Sequence, residues 1–409
     1  MKKAVYILSA AAALAACSKI PDREHFNFPE RRDIVLSETQ AKIVGSGNSF
    51  ACNLLAEVQQ REPAQEVFIS PLSLQIALSM LANGAGGDTY AQIAEALGLG
   101  GYSIKEINGA YGFLLPALLE ADASTKLALA NAAWLNRNFP VKESFASAID
   151  DIYDAEVENL DFASPEALRE INSWAYENTE GMIPSLLESL SPDTPLVLAN
   201  ALYFKGIWSE RFKVENTRAE DFHCASGEVR RLDFMHGDIP CRYAYDYDLS
   251  AAMCEIPFGN KAFTLSIILP DYGLDFGLFV KNFSGADRQR LREMLISKDE
   301  YLIIPKLDLA FDGRSSIIES LKALGMTDAF GAGADFGGIS DSPLSIGEII
   351  QKARFKMDEK GAEAAAATVV AGVTSTGPSE EFFADHPFIF EISETSTGTV
   401  LFNGTFRGI

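Results

Sequence analysis

The chain has 409 residues, of which 47% are hydrophobic, 10% aromatic and 22% charged. That composition supports one large core or two modest ones and argues against intrinsic disorder. A formal charge of −23 excludes a general nucleic-acid binder and a protein drawn to anionic lipid headgroups by charge, because both surfaces repel such a field.

The first residues form an address rather than folded structure. Lys2 and Lys3 precede an apolar run, 4–16, that is too short to span a bilayer and closes in Leu14, Ala15, Ala16 and Cys17. This looks like a bacterial lipoprotein signal: residues 1–16 are removed and the Cys17 sulfur is diacylated. The alternative is a plain signal peptide with an incidental cysteine. Ser18 stands where an aspartate would, by resemblance to other bacterial lipoproteins, favour the inner membrane. The expected location is therefore the outer membrane, on its periplasmic or outer face, with the lipid as the membrane contact. Residues 17–36, with Pro21 and Pro29, make a lipidated tether.

Residues 37–409 are expected to be one α+β domain. Helical spacing runs over 37–60, with Ser37 as N-cap and Pro63 beyond the end. Val67, Phe68 and Ile69 form a short strand that feeds a helix starting at Pro71. Further helices are expected over 91–97, closed by Gly98, and over 167–179, carrying Ile171 and Trp174. Strands are expected over 126–135 and over 195–204, the latter apolar enough to be buried on both faces. Several strands follow within 234–269, one more over 301–311, and two final ones over 388–392 and 399–406.

Catalytic patterns are missing. There is no Gly-x-Ser-x-Gly elbow and no His-Glu-x-x-His, and the histidines are only His25, His223, His236 and His386. Gly331, Gly333 and Gly337 do not have dinucleotide-binding spacing. No enzyme activity, metal or cofactor is expected. Between Arg61 and Lys105 there is no Lys or Arg, so no polyanion cofactor is expected to bind that stretch. Four cysteines remain, Cys52, Cys224, Cys241 and Cys254, without metal-ligand spacing. Cys241 and Cys254 flank a hairpin turning near 246–250 and are either a disulfide or, with the other two, buried free thiols.

Residues 358–378 need a separate explanation. Asp358, Glu359, Lys360 and Gly361 lead into Ala362 and Glu363, then Ala364, Ala365, Ala366 and Ala367, then small polar residues up to Pro378. Alanine favours a helix, yet no apolar stripe would dock one, and Val369, Val370 and Val373 with the following glycines favour extended chain. Composition leaves both a surface helix and an exposed loop open.

Taken in order, the motifs resemble the serpin family over nearly all of 37–409. They include Asn48-Ser-Phe50, Phe68-Ile-Ser-Pro-Leu-Ser-Leu74, Leu129-Ala-Asn-Ala-Ala-Trp-Leu135, Leu198-Ala-Asn-Ala-Leu-Tyr-Phe-Lys-Gly-Ile-Trp208, Ile303-Ile-Pro-Lys-Leu307 and Ala384-Asp-His-Pro-Phe-Ile-Phe390. The resemblance implies three β-sheets, eight or nine helices and an exposed reactive loop at about 359–381. It also implies a monomer that traps serine endopeptidases, and possible cysteine endopeptidases, as a covalent complex by inserting the cut loop into the main sheet. A non-inhibitory carrier or chaperone is the alternative.

The resemblance also assigns residues. Glu359, Gly361, Ala362 and Ala364 to Ala367 are the loop's hinge, and small side chains there suit entry into a sheet. Many inhibitory members carry Thr or Ser at the position of Ala362. Counting seventeen residues from Glu359 puts the reactive bond at Ser375–Thr376, with Thr374 and Gly377 adjacent in an alternative register. Trp208, Lys306 and Glu359 match a cluster at the top of the sheet. Ser70, Ser73, Asn200 and Gln351 match a polar cluster beneath its centre, with Gln351 where the family often has histidine.

Overall fold

Ser37 opens the first helix, α1 (Glu38–Arg61): its hydroxyl accepts from the Gln40 backbone N–H, and the Gln40 side chain accepts from the Ser37 N–H. The computed structural model describes residues 27–362 and 381–409. Cys17, the expected hinge residues Ala364, Ala365, Ala366 and Ala367, and the expected bond region Thr374, Ser375, Thr376 and Gly377 lie outside them.

After α1 come β1 (Val67–Ile69) and α2 (Pro71–Ala82), a helix buried along its whole length with Ser70 as N-cap. Next are α3 (Gly87–Ala96), α4 (Ile104–Glu120), β2 (Lys126–Asn136), α5 (Glu143–Tyr153), β3 (Ala155–Leu160), α6 (Pro165–Asn178) and β4 (Leu196–Ile207). The middle of the chain gives β5 (Arg218–His223), β6 (Val229–Asp246), β7 (Ala251–Phe258), β8 (Phe263–Pro270), α7 (Phe276–Asn282) and α8 (Gly285–Met294). Then follow β9 (Ile296–Pro305), β10 (Leu307–Asp312), α9 (Arg314–Ala323), β11 (Glu348–Ile350), β12 (Lys352–Asp358) and β13 (Gly361–Ala362). Beyond the undescribed stretch lie β14 (Glu381–Phe383), β15 (Phe388–Glu394) and β16 (Val400–Phe406).

One expectation is corrected. The single strand expected over 301–311 is two strands, β9 and β10, in different sheets: β9 pairs with β6, and β10 pairs with β12. The chain crosses from one sheet to the other at Lys306, whose N–H donates to the Asp233 carbonyl at 2.9 Å. Helix α3 also begins before the expected residue 91.

A seven-stranded sheet has the order β10-β12-β13-β4-β2-β3, with β11 paired to β4. The other strands run β1-β16-β15-β8-β7-β6-β9-β14, with β5 on β6. Strand β6 pairs with β9 from Phe234 to Tyr243 and with β7 from Arg242 to Asp246. It thereby joins two sheet halves, so the three expected sheets are present with two of them sharing β6.

The core lies between the sheets. Phe68 of β1 packs 5.1 Å from Phe355 of β12 and 5.2 Å from Phe402 of β16, measured between ring centroids. β4 is buried on both faces, as its apolar run predicts: Leu196 and Leu198 face this core, while Val197 and Ala199 face a second cluster under α6. There Trp134 meets Trp174 edge-on at 5.2 Å.

Candidate functional site

Among the described residues, the seven-stranded sheet is closed at both ends of its central seam and open between them. At one end β11 pairs in parallel with β4, through Glu348 with Val197, Ile349 with Leu198 and Ile350 with Ala199. At the other end β13 lies between β12 and β4, antiparallel to both: Ala362 faces Met357 and Gly206, and Gly361 faces Asp358 and Ile207. Among the described residues, no strand pairs with β4 at 200–205 on this flank, or with β12 at 352–356 on the facing flank. A groove marks the seam, with ≈ 370 Å³ of empty space, part of it open solvent. Leu202, Phe204, Ala353 and Phe355 line it from the two strands, and Thr179 and Met182 from the segment after α6.

Gly361 and Ala362, expected as hinge residues, occupy the top of this seam. Ala362 is buried against the core. Gly361 takes φ +149°, and a Cβ added there would lie 2.1 Å from the Gly206 carbonyl oxygen. Both facts require glycine at 361.

Glu359, the first of the residues expected as the hinge, is fastened by its side chain and its backbone. Its carboxylate accepts from the Thr217 hydroxyl at 2.6 Å and from Lys306 Nζ at 3.2 Å. Burial pushes this carboxyl up, but those two donors and the Glu359 N–H outweigh it and hold the group below the usual glutamate range. The Phe212 N–H donates to the Glu359 carbonyl at 3.1 Å. Trp208, fully buried, donates from Nε1 to the Asp358 carbonyl at 2.8 Å and stacks on Phe258 with centroids 4.5 Å apart. Trp208, Lys306 and Glu359 are thus brought together as expected. Thr217 and Phe212 belong with them and were not anticipated, because a threonine in a turn and a phenylalanine in a loop carry no distinguishing spacing.

The four residues of the second cluster also meet, beneath the seam. Gln351 accepts from the Ser70 N–H at 3.2 Å and donates to the Ser70 carbonyl at 2.6 Å. The Ser70 hydroxyl donates to the Leu401 carbonyl at 2.8 Å and accepts from the Ser73 N–H at 3.2 Å. Ser73 donates to Asn200, and Asn200 donates to Asn131. Asn131 Nδ2 in turn donates to the Tyr153 carbonyl at 2.7 Å. Asn131 was missed as a member, although it lies inside the motif 129–135 that carries the resemblance. Gln351 serves as both donor and acceptor, a pairing that a single imidazole tautomer would divide between its two nitrogens.

The far end of the undescribed stretch is anchored by β14, which pairs in parallel with β9 through Glu381, Phe382 and Phe383. His386 follows, with Nδ1 2.7 Å from the Asp385 carboxylate and Nε2 2.7 Å from the Pro270 carbonyl. Burial pushes this imidazole down, but two acceptors on its two nitrogens more than offset that and raise it.

A family model described as "Serpin (serine protease inhibitor)" matches residues 46–408. The leukocyte elastase inhibitor of Bos taurus is 33% identical, over 89% of this chain and 98% of its own length. A serpin-like protein of Thermococcus kodakarensis is 34% identical, over 94% of this chain and 90% of its own. The crystal structure of the thermophilic serpin tengpin in its native state superposes with a TM-score of 0.82 at 27% identity, covering 94% of this chain and 98% of that one.

Proposed function

Since the chain belongs to the serpin family, we propose that it traps endopeptidases by inserting its cleaved loop into the seam between β4 and β12. The observation that carries this reading is the placement of Gly361 and Ala362, already paired to both walls of an otherwise open groove. Attack by a protease serine on the Ser375 carbonyl would give an acyl-enzyme and release the amine of Thr376. Continued in the register of Ala362, residue 364 would face Phe355 and Phe204, residue 366 Ala353 and Leu202, and residue 368 Gln351 and Asn200. These positions hold Ala364, Ala366 and Thr368, all small. Residues entering beyond 368 must part β11 from β4. The Ser70, Ser73, Asn200 and Gln351 network sits at that point and would set the resistance to opening. A strand of about fifteen residues at roughly 3.3 Å each carries the bound protease about 50 Å.

The residues around the bond, 372–376, contain no Arg, Lys or aromatic group. A trypsin-like pocket needs a cation, and a chymotrypsin-like pocket would be left unfilled. Elastase-like and subtilisin-like serine proteases are the proposed targets; a shift to Thr374 puts Val373 in the preceding pocket and suits papain-like cysteine proteases. An SDS-stable complex with elastase is expected, releasing a C-terminal peptide that begins at Thr376 or one residue away. Efficient trapping of trypsin, with a peptide beginning outside 374–377, would overturn the assignment.

Attachment to a bacterial outer membrane through lipid on Cys17 is part of the proposal, supported by the run 4–17. Cys17→Ala should move the protein from the membrane fraction to the soluble one. A variant that stays membrane-bound and still takes up labelled acyl chains would refute it.

A further inference from the structure

We propose that Cys241 and Cys254 form a disulfide that clamps β6 to β7 when the protein meets a thiol oxidant of the disulfide class. The two residues lie on facing strands. Arg242 pairs with Glu255 and Tyr243 with Cys254, so Cys241 sits one step beyond the last β6–β7 pair. Cys241 and Cys254 are therefore diagonal neighbours on one face of the sheet. Such neighbours have Cα atoms roughly 7–8 Å apart, slightly beyond the usual disulfide range. Forming the bond therefore takes a small closing movement of the two strands, and each thiol is already the main influence on the other's acidity.

The environment divides the roles. Cys254 is wholly buried, whereas Cys241 keeps a trace of exposure and donates to the Lys298 carbonyl at 3.6 Å. Residue 240 is proline and has no N–H to offer the ladder with β9. Contact between the two thiols holds Cys241 below its ordinary value and, together with burial, raises Cys254. Cys52 and Cys224 have no such neighbour among the described thiols.

The chemistry takes two exchanges. The Cys241 thiolate attacks one sulfur of a disulfide RSSR, forming a mixed disulfide and expelling RS⁻. The Cys254 thiolate then attacks the Cys241 Sγ and expels the second RS⁻, and the two thiolates take up the protons lost by the cysteines. Two protein thiols and one RSSR become one protein disulfide and two RSH. The link falls where β6 leaves β7 for the other half of the sheet, so it extends the clamp past the end of the ladder. It is independent of the reactive loop.

The test is a peptide map of the folded full-length chain after oxidised glutathione, alkylation of remaining thiols and digestion. The expected product joins the peptides of Cys241 and Cys254 and is lost on reduction. Cys254→Ser should instead retain glutathione on Cys241, an adduct the wild type does not accumulate. Recovery of both cysteines in alkylated form from oxidised wild type, or their linkage to Cys52 or Cys224, would overturn the proposal. Should the serine variant misfold, the wild-type map decides alone. Protease trapping, assayed on the same sample, reports separately on the function proposed above.

Discussion

A single cut in the loop is expected to raise the apparent melting temperature by roughly 20 °C. The open seam is the reason. β4 at 200–205 and β12 at 352–356 have no strand between them among the described residues, and cleavage frees the loop to supply one. Net hydrogen-bond gains of about 1 kcal/mol per residue make an inserted strand of about fifteen residues worth ~15 kcal/mol. At about 2 cal/mol/K per residue, a domain of this length unfolds with an entropy near 0.8 kcal/mol/K, which converts that gain into the stated shift. The sum matches the upper end of the stability of an ordinary domain, so the uncut form must be held by a barrier. Circular dichroism melts of intact protein and of protein nicked once between 374 and 377, with both fragments retained, measure the shift. Equal melting of the two forms would leave a serpin that does not insert its loop.

Much of the architecture around the seam was legible in the sequence, and the reasons differ by residue. Ser37 and Pro71 announce helix starts through local chemistry, and both elements begin where those residues place them. The apolar run in β4 reads directly as a strand buried on both faces. By contrast, α4 buries Ile107, Tyr111, Leu114 and Leu118 on one stripe, but Gly109, Gly112 and Pro116 mask the period. The division of β9 from β10 at Lys306 is invisible along the chain, since apolar residues continue on both sides; only pairing to β6 and β12 separates them. The sites follow the same rule. Trp208, Lys306, Ser73 and Gln351 were found through a family pattern, whereas Thr217 and Asn131 enter through contacts made across long sequence separations. Diagonal placement of Cys241 and Cys254 needed the β6–β7 register, and the structure holds both, with Cys52 and Cys224, as buried free thiols.

Ala364→Arg is expected to turn the inhibitor into a substrate while leaving the uncut fold intact. The residue lies outside the described structure, but the register of Ala362 carries position 364 to Phe355 and Phe204. Both rings are buried, and Phe204 is packed on Phe258 and Phe263 with centroids 5.2 and 5.6 Å away. A guanidinium entering there would lose its water and meet no carboxylate, a penalty of several kcal/mol. The trapped complex forms only if insertion outruns hydrolysis of the acyl-enzyme. Each 1.4 kcal/mol added to the insertion barrier shifts that partition about tenfold. A penalty of about 3 kcal/mol therefore raises the ratio of hydrolysis to complex formation roughly a hundredfold over the wild type. The readout is the number of inhibitor molecules consumed per protease inactivated, with cleaved protein and SDS-stable complex resolved on one gel. Ala365→Arg is the control: its side chain alternates to the opposite face and should cost less. If Ala364→Arg traps protease as efficiently as the wild type, residue 364 does not enter the sheet facing Phe355, and the register drawn from Gly361 and Ala362 is wrong.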